Sequence, residues 1–291
     1  MRSAFIDELA AQAALDSRIA LVVGDLGFSV VEPFADRFPD RFVNSGVAEQ
    51  NMMGLAAGMA SEGYHPFVYS IANFPVFRCA EQIRNDVEYH DLPVTIVAVG
   101  GGLAYGNLGY SHHAVQDYGF MRMLPSMLIA APGDPMEVRA CVRYLARHPQ
   151  PSYLRLGKAG EACLHGDVPE VTPGRWIKIV GSDGTNTFLT TGATLPLARE
   201  WLDHQDYQGW ALHSLPLWGM RTKALQAAQA VAWKRVISVE DHLQDAGFGS
   251  WLLESCLPLA GRPAIEIRGL SSEIFGKVGT QSRLNALGGL K

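Results

Sequence analysis

Asn44-Ser45-Gly46-Val47-Ala48-Glu49-Gln50-Asn51-Met52 marks the point where a short apolar run gives way to a helix of small residues. Gly54, Ala56, Ala57, Gly58 and Ala60 let that helix lie close against a neighbour, while Met52, Met53, Leu55 and Met59 add apolar contacts. Glu49 therefore opens a packed, poorly hydrated helix. A capping box with Ser45 as N-cap would need its acid at position 48, which is alanine, so capping does not account for Glu49. Two environments stay open for it: the helix dipole holds an acid ionised there, whereas desolvation keeps it protonated and suits proton transfer. Spacing alone does not choose between a functional and a packing role.

Outward from Glu49, apolar runs alternate with stretches of helical spacing. Towards the N-terminus lie a helix over 3–15, a strand over 19–23 ending at Gly24-Asp25-Leu26, a helix near 31–37 and a strand near 41–43. Towards the C-terminus a strand over 67–71 meets Asn73-Phe74-Pro75, where proline can open a helix running to about 89. Strands over 94–99, 127–130 and 152–156 follow, with a helix over 134–148. The alternation then stops in a glycine-, proline- and acid-rich stretch over 157–175. It resumes with strands near 176–180, 187–191, 210–215, 236–240 and 264–267, and helices over 194–205 and 249–257. Such alternation predicts an α/β fold of two domains, 1–160 and 176–291 with a linker at 161–175, each a mostly parallel sheet flanked by helices.

The 291 residues are enough for two ordinary cores. Hydrophobic residues at 48% and charged residues at 18% describe a globular chain, and a net charge of −5 argues against nucleic acid as a main partner. No apolar run reaches the roughly 18–20 residues that span a bilayer, and Met1-Arg2-Ser3-Ala4-Phe5-Ile6-Asp7-Glu8 has no signal-peptide core, so a cytoplasmic location without membrane contact is expected. Cys79, Cys141, Cys163 and Cys256 form no CxxC pair and read as buried, reduced thiols without zinc-site spacing.

The loop Gly100-Gly101-Gly102-Leu103-Ala104-Tyr105-Gly106-Asn107-Leu108-Gly109-Tyr110-Ser111-His112-His113 lies after a strand, where α/β sheets place their sites. It is not a GxGxxG fingerprint. Its glycines suit close approach of backbone to a ligand or another subunit, and its histidines titrate near neutrality, although a solvated turn explains two adjacent histidines as well. Phe74 and Phe77 lie three apart at a helix start and can project together, with core packing as the plain alternative. No nucleophile elbow, HExxH helix, P-loop or Gly-Asp-Gly…Asn metal signature is present, so no metal ligand is assigned to this chain.

Taken together, Gly24-Asp25-Leu26, Ser45 to Met52, Ala80-Glu81-Gln82-Ile83-Arg84-Asn85-Asp86, Ser111-His112-His113, Ser238-Val239-Glu240-Asp241-His242 and Gly247-Phe248-Gly249-Ser250 resemble the transketolase family of thiamine diphosphate enzymes. The resemblance covers nearly the whole chain and is to the pyrimidine-binding and C-terminal domains of a split enzyme. It implies that Glu49 hydrogen-bonds the cofactor's aminopyrimidine ring and assists loss of the thiazolium C2 proton, with Phe74, Phe77 and Ile71 around that ring. It implies that His112 faces the reacting carbons of a ketol donor, and that Arg2, Ser29 and Lys158 bind the substrate's phosphate. Thiamine diphosphate is then the cofactor. The resemblance further implies that Mg2+ and the diphosphate site belong to a partner N-terminal subunit, in a heterotetramer of two of each chain that is active only when assembled.

Two positions depart from the family. Gly100 stands where many members have a phosphate-binding histidine, and Leu108 where they have an aspartate that reads a donor hydroxyl. Leucine dries that wall and weakens expected discrimination between donors. Alternatives of the same fold are the β subunit of a 2-oxo acid dehydrogenase, a decarboxylating synthase, and a regulatory subunit without turnover.

Overall fold

Ile19–Val23 is a run of five apolar residues, all buried, and only an interior strand of a covered parallel sheet buries both of its faces in this way. The computed structural model describes residues 1–158, 160–182 and 184–291; Ala159, near the end of the expected first domain, and Asp183 lie outside them. In chain order the strands are β1 (Ile19–Val23), β2 (Phe42–Asn44), β3 (His65–Ile71), β4 (Thr95–Val99), β5 (Leu128–Ala130), β6 (Ser152–Leu156), β7 (Ile177–Val180), β8 (Asn186–Thr190), β9 (Ala211–Ser214), β10 (Leu217–Trp218), β11 (Arg235–Leu243) and β12 (Ala264–Leu270).

Among the described residues they form a seven-stranded sheet, in the order β10-β5-β6-β4-β3-β1-β2, and a five-stranded one, β12-β11-β8-β9-β7. All pairings are parallel except β10 with β5 and β7 with β9. Both sheets are thus mostly parallel and flanked by helices, as the alternation implied. β10 was not expected: it comes from the second half of the chain yet completes the edge of the first sheet. A two-residue strand has too little periodicity to be read from sequence. The short helices Asp117–Met121, Ala224–Ala230 and Gln281–Leu287 were missed for the same reason. The helix expected over 194–205 is confined to Leu195–Trp201.

Three expectations are corrected by packing. The helix expected from Asn73 to about Tyr89 is broken into Asn73–Phe77, Ala80–Gln82 and a π-helical turn over Ile83–Glu88. The backbone leaves the helical region at Cys79 (φ −112°, ψ 17°), which turns Arg78 towards the neighbouring helix start. In the helix Glu49–Ser61 it is Met52, Met53, Ala56, Ala57 and Ala60 that pack inward, while Leu55 is exposed and a Cβ on Gly54 or Gly58 would meet nothing within 4 Å. Those glycines do not serve close packing within this chain. Cys79, Cys141 and Cys256 are buried as expected, but Cys163 is exposed, because the linker around it has no core to bury it in.

The two halves share apolar packing. Tyr118 and Met121 of the first half lie in one cluster with Leu215, Trp218, Phe248 and Trp251 of the second, and the Trp218 ring is 5.2 Å from Tyr118 and 5.1 Å from Trp251. No helix among the described residues is long and apolar enough to cross a membrane.

Candidate active site

The carboxyl ends of β1, β3 and β4 lie side by side, and β2 runs beside β1 into the segment before Glu49. Ser45 is not the helix cap: its hydroxyl donates to the Val23 carbonyl at 3.0 Å, and Ala48 precedes the first helical residue, Glu49. Glu49 is buried, with its side chain 7% exposed, and accepts a 2.6 Å hydrogen bond from Nη1 of Arg78, whose own side chain is 50% exposed. The pair lines an open cavity of about 460 Å³ with Ala48, Gln50 and Asn51. The two cavities of about 660 and 590 Å³ in the second half of the chain contain none of the candidate site residues.

From Glu49 a line of contacts runs across the sheet's edge. The Arg78 guanidinium sits 4.1 Å from the centre of the Phe74 ring, within cation–π range. Phe74 meets the His112 ring edge-on, at 5.2 Å and 66°. His112 is 6.4 Å from the Tyr105 ring, and the Lys158 ammonium lies 5.6 Å from that ring's centre. Arg2 closes the line, donating from Nε to the Lys158 carbonyl at 2.8 Å. A hydrogen bond of 3.0 Å from the Asn73 side chain to the Ser111 carbonyl ties the loop after β3 to the loop after β4.

The structure therefore brings together Glu49, Phe74, His112, Lys158 and Arg2. Ile71 ends β3 at the start of this edge and is partly exposed; Phe77 is 44% exposed and faces outward. Ser29 stands in the loop after β1 in a left-handed conformation (φ 65°), its N–H bonded to Glu32, and that loop leans on Tyr69 through Gly27. Leu108 is 53% exposed at the rim. Sequence reasoning missed Arg78 and Tyr105, because nothing local marks an arginine or tyrosine that completes a site from another loop.

The two histidines divide. His113 is buried, with Nε2 3.3 Å from the Gly106 carbonyl, which excludes a solvated turn. His112 faces the cleft, with Nδ1 3.0 Å from the Ser111 hydroxyl. Burial, helped by the charges of His113 and Arg78, holds its imidazole below the usual range, so near neutrality it offers one donor and one acceptor.

Two glycines of the glycine-rich loop have a different role from the one expected. A Cβ on Gly101 would lie 2.6 Å from the Arg155 guanidinium carbon, and one on Gly102 2.4 Å from an Asp241 oxygen. These glycines make room for a buried ion pair between the halves, not for a ligand. Arg155 donates to Asp117 at 2.6 Å, to Asp241 at 2.5 Å and to the Ala114 carbonyl at 2.7 Å, and all three charged side chains are 3% exposed or less. In the same motif Glu240 accepts from the N–H groups of Phe248 and Gly249 at the head of the helix Phe248–Cys256. Burial pushes its carboxyl up to about 8, against those two hydrogen bonds. His242 stacks on Tyr118 at 5.3 Å.

Residues 1–160 match the family model described as transketolase, pyrimidine binding domain. The chain is 32% identical to one of the subunits of an apulose-4-phosphate transketolase from Phocaeicola vulgatus, over 96% of this chain and 92% of that one. It is 32% identical to a 6-deoxy-6-sulfo-D-fructose transketolase subunit of a Clostridium species, over 66% of this chain and 60% of that one. Its fold matches a solved split-gene transketolase, described as an inactive β4 tetramer, with a TM-score of 0.86 and 29% identity, covering all of this chain and 93% of the other. Family model, relatives and fold agree, and the chain belongs to the transketolase family as one subunit of a split, ketol-transferring transferase.

Proposed function

We propose that this chain forms the pyrimidine-facing half of a thiamine diphosphate site, and that with an N-terminal partner subunit it moves a ketol unit from an anionic ketose to an aldehyde. The observation that carries this is the unbroken line from Glu49 through Phe74 and His112 to Lys158 and Arg2: an acid, an aromatic face, a neutral imidazole and two cations in the order the reaction uses them.

The residues present fit an aminopyrimidine. Glu49 is a buried carboxylate on an open cavity, able to hold a proton against a ring nitrogen, and Phe74 flanks it with Ile71 and the outward Phe77 available to close around the ring. Arg78 shares Glu49 and is half exposed, so it can yield one carboxylate oxygen to a ring edge. When bound, thiamine diphosphate supplies an acidic C–H and an electron sink. His112, kept neutral, hydrogen-bonds the oxygens at which charge develops on the reacting carbons. Arg2 and Lys158, with Ser29 of the loop after β1, hold the far anion. The names of two relatives carry a phosphate and a sulfonate, which supports a terminal oxyanion. Mg2+ and the diphosphate ligands belong to the partner, in a heterotetramer of two of each chain working in the cytoplasm.

The test is to reconstitute the two chains with cofactor and magnesium and to follow ketol transfer from a phosphorylated ketose to an aldehyde alongside carbon dioxide release from 2-oxo acids. Transfer without decarboxylation is expected. Decarboxylation without transfer would assign the chain to a 2-oxo acid enzyme, and neither would leave a subunit without turnover.

A further inference from the structure

Gly100 holds a left-handed backbone (φ +83°), and a Cβ built on it would lie 2.1 Å from Cε2 and 2.3 Å from Cδ2 of Tyr105. No side chain at position 100 can coexist with the ring in this place. The loss of a side chain there and the presence of an aromatic ring five residues on are therefore one feature: the ring fills the space.

That space lies between two parts of the site. On one side is the imidazole of His112, 6.4 Å away and steeply inclined at 74°. On the other is the Lys158 ammonium, 5.6 Å from the ring centre. Beneath it Tyr69 belongs to the same group: burial pushes its phenol up to about 12, with Arg2 opposing the rise and Tyr105 adding to it. Arg2 Nε donates to the Lys158 carbonyl, so the Arg2 guanidinium is tied to the backbone of the residue whose ammonium lies by the Tyr105 ring. Glu161, the carboxylate that enters this corner against Gly157, is taken up by the Met1 ammonium at 2.9 Å.

On the footing of the ketol-transfer function above, we propose that Tyr105 is a specificity-determining residue: its hydroxyl, with Lys158 and Arg2, binds the terminal oxyanion of the sugar whose other end reacts beside His112. A phenol is a directional donor without charge, so it adds a hydrogen bond to an anion that the two cations already attract.

The test measures binding, so that it does not depend on turnover. The assembled two-chain complex with cofactor and magnesium is titrated calorimetrically with D-ribose 5-phosphate and with D-ribose, as wild type, Tyr105→Phe and Gly100→Ala. Tyr105→Phe keeps the ring and removes only the hydroxyl; it is expected to weaken D-ribose 5-phosphate roughly 10- to 100-fold, the loss of one hydrogen bond to a charged group, and to leave D-ribose unchanged. Gly100→Ala is expected to weaken the phosphorylated sugar as well, by displacing the ring. The proposal is overturned if Tyr105→Phe binds D-ribose 5-phosphate as wild type does, if it weakens both sugars equally, or if the wild-type complex does not prefer the phosphorylated sugar. A complex that shows this Tyr105-dependent preference but no ketol transfer would refute the reaction proposed above and keep the anion site.

Discussion

Two guanidinium–carboxylate contacts in this chain use the same chemical groups to opposite ends. Arg155 is sealed between the halves: its donors reach Asp117, Asp241 and the carbonyls of Ala114 and Asp241, its plane lies 4.4 Å from the Tyr118 ring, and Gly101 and Gly102 leave it space. Arg78 makes one short hydrogen bond to Glu49 and is otherwise open, resting on Phe74. The first arrangement leaves no room for a ligand and holds a domain arrangement in place. The second leaves a buried carboxylate with a partner that can move, as an acid serving a bound ring requires. Burial and the saturation of donors, not the identity of the pair, separate scaffold from site.

Glu49→Gln probes the open contact most severely. Glutamine fills the same volume but cannot hold and return a proton, so hydrogen–deuterium exchange at cofactor C2 in the reconstituted complex should slow about 10²- to 10⁴-fold. The unfolding midpoint should hardly move, since the carboxylate's hydrogen-bond partner is half exposed. An unchanged exchange rate would remove Glu49 from the chemistry.

Arg155→Met probes the sealed contact. It leaves Asp117 and Asp241 buried without their shared cation, and a broken buried pair costs about 3–5 kcal/mol. Denaturant unfolding should show a loss of that order. A loss below about 1 kcal/mol would mean that the Trp218 cluster and the β10–β5 pairing hold the halves without it.

The smallest effect is expected from Arg78→Met. An exposed partner contributes under about 1 kcal/mol to stability. Its second consequence is electrostatic. The His112 pKa lies below its ordinary value of 6.5 through burial, then His113, then Arg78. A depressed imidazole pKa contributes stability that is present above 6.5 and lost as pH falls through the folded-state value. Removing the Arg78 charge raises that pKa, so the acid limb of the kcat/KM profile should move to higher pH. A limb that stays put would show that Arg78 does not act on His112.

Much of the fold could be read locally. Strands β1 and β6 fall on the residues read for them; β1 is an unbroken apolar run of five between turn signals, which has few other uses. The region 73–89 was misread, since helical spacing continues through it while the backbone breaks at Cys79 for the sake of a contact with the previous helix. At the candidate site, Glu49 and His112 were visible as an acid capping could not explain and a histidine at a strand's end. Arg78 and Tyr105 were invisible, because their significance lies in what they touch.

The sequence by itself determined the alternation of strand and helix and the division into two α/β halves, since each rests on residues within a turn or two of one another. Only the tertiary structure decided that Gly101 and Gly102 admit a buried arginine, that Tyr105 lies in the space above Gly100, and that β10 crosses to the other half's sheet. Those outcomes depend on residues as far apart as Arg155 and Asp241. Contacts at that separation are selected by shape and charge once the chain has closed on itself, and leave no period or spacing in the sequence to announce them.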